Sequence, residues 1–102
     1  MSKQERSDPP NSHEGRVNDL VATIASLDSE DLTRRFLRDL CTRTEIEAMA
    51  QRWEVAQLVD QGVSYVQIAQ MTGASTATIT RVAQWLHHGE GGYLELLKGR
   101  RS

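Results

Sequence analysis

Two short stretches with helical apolar patterning meet at Gly73, and each opens on a residue able to cap a helix. Ser64, followed three residues later by Gln67 and flanked by Val63 and Ile68, has the pattern of a capping box with a hydrophobic staple. The helix it opens can run only to about Thr72, because Gly73 favours the left-handed backbone of a tight turn. Ser75 can cap the next helix, whose Ile79, Val82, Ala83 and Leu86 recur as one buried face until Gly89 stops it. Two such helices joined by a turn of three or four residues cross steeply, which is a helix-turn-helix over about 64–88. Ala69 is small enough for the close crossing, and Ile68, Ile79 and Val82 can lock its angle from inside.

The remainder also reads as helix. Val17, Leu20, Val21, Ile24 and Leu27 form one face of a first helix; Asp28 or Ser29 caps a second, carrying Leu32, Phe36, Leu37 and Leu40 and ending near Cys41. Thr42 and Glu45 make a capping box, with Cys41 and Ile46 as its staple. The helix opened there carries Ile46, Met49, Ala50, Trp53, Ala56 and Val59 and runs about 18 residues to Gly62, a left-handed stop. Beyond the Gly89 to Gly92 break, Tyr93, Leu94, Leu96 and Leu97 give a last amphipathic turn or two before Lys98, Arg100 and Arg101. Thr and Val between Thr72 and Val82 lack the strict alternation of a strand. The expected fold is all-α, five to six short helices, with a disordered polar arm over 1–15, one helical domain over 16–98 and a basic tail over 99–102. About 85 ordered residues bury apolar surface only marginally, and association with a second copy is the common remedy.

Composition narrows the function classes. At 38% hydrophobic and 25% charged, the 102-residue chain is of globular type, and its net charge of -2 excludes a generally polybasic binder of nucleic acid or membrane surfaces. A locally basic face stays open. A single cysteine, Cys41, cannot form an internal disulfide, the first residues lack the apolar run of a signal peptide, and no stretch approaches a membrane span. The expected location is the cytoplasm, with no membrane partner. His87 and His88 are adjacent, so a helix points them about 100° apart, and no carboxylate or cysteine stands at metal-ligand spacing beside them. No phosphate loop, nucleophile elbow or Ser-His-Asp arrangement is present, so neither an enzyme nor a metal cofactor is expected. Trp53 and Trp85 fall at helical spacing with other apolar residues and read as core or dimer-interface packing.

From Gln61 to Thr80 there is no charged side chain, whereas a solvated surface helix normally carries Lys and Glu. Ser75, Thr76, Thr78, Thr80 and Gln84 can instead offer hydroxyl and amide groups to base edges or phosphates. Ala77 and the threonine methyls can meet thymine methyls, and Arg81 a phosphate or a guanine. Ser64 and Tyr65 open the first short helix, where backbone N–H groups can also hold phosphate. The reading is a helix-turn-helix that binds double-stranded DNA in a sequence-specific way. Lys98, Arg100 and Arg101 add candidate phosphate contacts. The alternative is a helical protein-interaction module that keeps the fold and shows no salt-dependent DNA affinity.

The run Gly73-Ala74-Ser75-Thr76-Ala77-Thr78-Ile79-Thr80-Arg81 resembles the recognition-helix segment of the Trp repressor superfamily, in its YerC/YecD-type branch. The resemblance extends back through Leu40-Cys41-Thr42, Glu45, Ala48 to Arg52, the Leu58 to Gly62 helix end and Ile68-Ala69, and forward to Gly92-Tyr93. It implies an intertwined, all-helical homodimer whose two recognition helices enter successive major grooves of a roughly palindromic operator. It also implies an effector pocket between two arginines, here Arg52 and Arg81, with Thr42 at the matching helix cap. Two positions depart from the tryptophan-responsive pattern: Val82 stands in place of glycine and Trp85 in place of serine. Both narrow the slot, so tryptophan is not expected as corepressor, no cofactor is assigned, and the effector is left unidentified.

Overall fold

The computed structural model describes residues 12–101. Among them are six helices and no strand: α1 (His13–Ala25), α2 (Glu30–Leu40), α3 (Arg43–Asp60), α4 (Tyr65–Thr72), α5 (Thr76–His88) and α6 (Gly92–Arg101). Side-chain caps set most of the starts. Thr42 closes a reciprocal box with Glu45, Thr42 N–H donating to Glu45 Oε1 at 2.8 Å and Glu45 N–H to Thr42 Oγ1 at 3.1 Å. Ser29, not Asp28, caps α2, its hydroxyl accepting from Leu32 N–H at 3.0 Å. At Ser64 the cap is one-sided, the hydroxyl accepting from Gln67 N–H at 3.2 Å. The end of α3 is a Schellman turn, with Val63 N–H donating to the Leu58 carbonyl and Gly62 N–H to that of Val59.

Where the sequence reads as one domain over 16–98, the described residues form two compact units divided between Leu40 and Cys41. The first holds α1 and α2. Their apolar faces stay open in the single chain: Val17, Leu20, Val21, Ile24, Leu32 and Leu40 are all exposed. The second holds α3 to α6 and the whole buried core. Val55, Ala56, Leu58, Ile68, Ala74, Ile79 and Val82 form its centre, with Trp53, Val59, Val63, Ala69 and Tyr93 packed against it. Ala83, Leu86 and Leu97 are buried beside them.

Residues 12–15 and 99–101 differ from expectation. Residues 1–11 of the expected arm lie outside the described residues, and the remainder of it is helix: Ser12 caps α1 through Gly15 N–H at 2.9 Å. At the other end α6 continues to Arg101, so the basic residues lie on a helix rather than a tail. The cause is visible at Arg100, whose guanidinium lies over Trp53 and donates to Gln57 on α3, which holds the last turn in place.

Candidate nucleic-acid interface

The turn between α4 and α5 is built from backbone groups that a helix end would otherwise leave without partners. Gly73 adopts φ 75°, and its N–H donates to the Ala69 carbonyl at 2.9 Å. Thr72 Oγ1 donates to the Ile68 carbonyl at 2.8 Å and accepts from Ala74 N–H at 3.1 Å. The carbonyl of Thr72, the last of the helix, accepts from Gln51 Nε2 of α3 at 3.2 Å. Ser75 then opens α5, its hydroxyl accepting from Thr78 N–H at 3.1 Å. By helix geometry the N–H groups of Thr76 and Ala77 stay available at that N-terminus.

Three faces run along α5. Ile79, Val82, Ala83 and Leu86 are buried. Thr76, Ala77, Thr80, Arg81 and Gln84 are exposed and, at 3.6 residues per turn, fall within an arc of about 140° facing away from that core. Thr78, Arg81, Val82 and Trp85, at i, i+3, i+4 and i+7, face α3, where Ala48, Gln51 and Arg52 repeat the same spacing. These seven residues line a slot of about 300 Å³. Arg81 belongs to both the outward arc and the slot.

Ser64, Tyr65 and Ser75 are exposed at the starts of α4 and α5, though both serine hydroxyls are engaged as caps. Thr78 departs from its expected place at the DNA. It is half-buried, accepts a bond from the Ser75 hydroxyl at 3.1 Å and lines the slot. The spacing explains this, since Thr78 is one turn before Val82 and shares its side of the helix.

Of the expected pocket residues, Arg52, Arg81, Val82 and Trp85 do converge. Thr42 does not: it caps α3, exposed and outside the slot's lining. Val82 is fully buried and forms the wall. Trp85 lines the slot rather than filling it and keeps 47% of its surface exposed, so in the single chain it is not core packing. Among the described residues neither Arg52 nor Arg81 has an ion-pair partner, and no carboxylate lines the slot. Trp85 is also a wall of a second groove of about 650 Å³ between α5 and α6, opposite Trp53, Tyr93 and Leu96.

The family model for Trp repressor protein matches residues 15–101. The chain belongs to the Trp repressor family. It is 44% identical over 77 residues to the uncharacterized protein YerC of Bacillus subtilis strain 168, covering 76% of this chain and 74% of that one. Two solved structures share the fold. A Staphylococcus aureus protein described as a candidate Trp repressor superposes with a TM-score of 0.80 at 33% identity, over 99% of this chain and 95% of its own. A TrpR-like protein from Eubacterium eligens ATCC 27750 gives 0.78 at 37% identity, over 87% and 90%. The Trp repressor family is one of helical DNA-binding regulators, not of enzymes, and among the described residues no helix is long and apolar enough to cross a membrane.

Ala48 and Gln51 escape the sequence reading as slot residues, although their i, i+3, i+4 relation with Arg52 mirrors the Thr78, Arg81, Val82 set and could have revealed them. The Gln51 to Thr72 bond joins residues 21 apart and has no signature in local spacing.

Proposed function

We propose that this protein is a sequence-specific DNA-binding regulator of transcription, a repressor, working as a homodimer in the cytoplasm. The observation that carries the reading is the exposed arc of α5, where Thr76, Ala77, Thr80 and Gln84 stand without charge beside an unpaired Arg81, immediately after a helix-turn-helix turn. Base edges are read by short polar and methyl-bearing side chains at close range. Affinity comes from phosphate contacts by Arg81 and the N-termini of α4 and α5. The open apolar faces of α1 and α2 supply what a second copy would cover, and the intertwined dimer of the family resemblance is the arrangement we adopt.

We take the Arg52–Arg81 slot as an effector site whose ligand is not tryptophan, because buried Val82 and the Trp85 ring bound it. Selection from a randomised duplex library, followed by titration of the chosen site against random DNA over a range of salt, tests the reading. A selected consensus bound at least a hundredfold more tightly than random duplex, with a negative slope in log salt, is expected. Absence of both would favour the protein-interaction alternative.

A further inference from the structure

The helix-turn-helix is also bonded to α3. Thr72 is the last residue of α4, so its carbonyl has no donor within the helix, and the peptide unit to which it belongs leads directly into Gly73, where the backbone turns left-handed. That carbonyl is held from outside, by Gln51 Nε2 on α3 at 3.2 Å. Gln51 is half-buried, so the bond is partly shielded from competing water. On the other side of the same residue, Thr72 Oγ1 bonds to Ile68 and Ala74.

We infer that Gln51 is a positioning residue for the recognition helix, fixing the 72–73 peptide plane from α3 and with it the direction in which α5 leaves the turn. This inference rests on the DNA-binding reading for its functional consequence, but the positioning itself does not. Gln51 also lines the slot beside Arg52 and Arg81. Its amide thus joins the slot to the turn, and its printed hydrogen bond goes to the turn rather than to the exposed arc of α5. Loss of the bond should loosen the orientation of α5 while leaving the phosphate-binding charges in place, so specific recognition should suffer and non-specific binding should not.

Gln51→Met keeps the length of the side chain and removes the donor. The expected result is a five- to tenfold loss of affinity for the selected duplex, with random-duplex affinity and the salt slope unchanged. Exchange of the bonded amides of Gly73 and Ala74, followed by NMR, should accelerate in the same variant. Gln51→Leu, which is uncharged and also lacks the donor, should move both readouts the same way. Wild-type specificity together with wild-type exchange in Gln51→Met would overturn the inference. If the wild-type protein bound no duplex selectively, the DNA-binding reading would fall, and the exchange experiment would still decide whether Gln51 holds the turn.

Discussion

The Arg100 guanidinium lies 5.3 Å from the centre of the Trp53 ring and donates to Gln57 Oε1 at 3.1 Å, fastening the last turn of α6 onto α3. A cation committed to a ring and an amide contributes to folding rather than to a DNA backbone. Arg100→Ala should therefore lower unfolding free energy by about 0.5–1 kcal/mol, the scale of an exposed cation–π contact, and leave the salt slope of DNA binding alone. Chemical denaturation and anisotropy titrations read the two quantities separately.

Arg81 and Thr80 are neighbours with different chemistry. Replacing Arg81 by Ala should weaken binding to all sequences and reduce the log-salt slope by about one for each phosphate that its guanidinium neutralises. Thr80→Ala should relax preference mainly at one base position, at a cost of about 1 kcal/mol on the selected site. Equal losses on selected and random duplex for both variants would remove this division of labour.

Two glycines should respond unequally to alanine. At Gly73 a Cβ would meet nothing within 4 Å, so the cost is the positive φ alone, about 1–2 kcal/mol. At Gly89 a Cβ would collide with the Trp85 carbonyl at the end of α5, so the backbone itself must shift. Thermal melts should rank Gly89→Ala below Gly73→Ala.

The open face of α1 gives a test of assembly. Val21 is 59% exposed, more than its neighbours on that helix at Val17, Leu20 and Ile24. Sedimentation at micromolar concentration should show a dimer for the wild type and a shift toward monomer for Val21→Glu, because burying an unpaired carboxylate in an apolar interface costs several kcal/mol. A well-folded wild-type monomer at that concentration would contradict the homodimer.

Tryptophan should leave DNA affinity unchanged. By the family resemblance Val82 takes the place of a glycine, and if its side chain and that of Trp85 narrow the slot, an indole that has to displace them costs about 1–3 kcal/mol. Calorimetry with free tryptophan, beside duplex binding with and without it, checks this; micromolar binding that tightens the complex would refute it.

Local chemistry made most of the second unit legible. The caps at Thr42, Ser64 and Ser75 and the buried stripe from Ile79 to Leu86 depend on bonds and spacings spanning three to seven residues, and these are written in order along the chain. The features that escaped depend on distant partners. Lys98, Arg100 and Arg101 look like a loose basic tail until Trp53 and Gln57, more than forty residues earlier, are brought beneath Arg100. Thr78 looks like a surface hydroxyl until α3 closes over its side of the helix. Trp85 reads both as core or dimer-interface packing and as a slot residue, because helical spacing cannot tell a slot wall from a packed interior.

Arg81 stands on the border between the outward arc of α5 and the slot against α3. If DNA and a slot occupant both engage this guanidinium, as proposed, the two sites are thermodynamically reciprocal: whatever factor the occupant imposes on DNA affinity, DNA imposes on the occupant. The sign depends on which edge of the guanidinium the occupant takes. An occupant that wraps the whole group competes with phosphate and acts as an inducer; one that grips only the inner edge steadies the outer edge and acts as a corepressor.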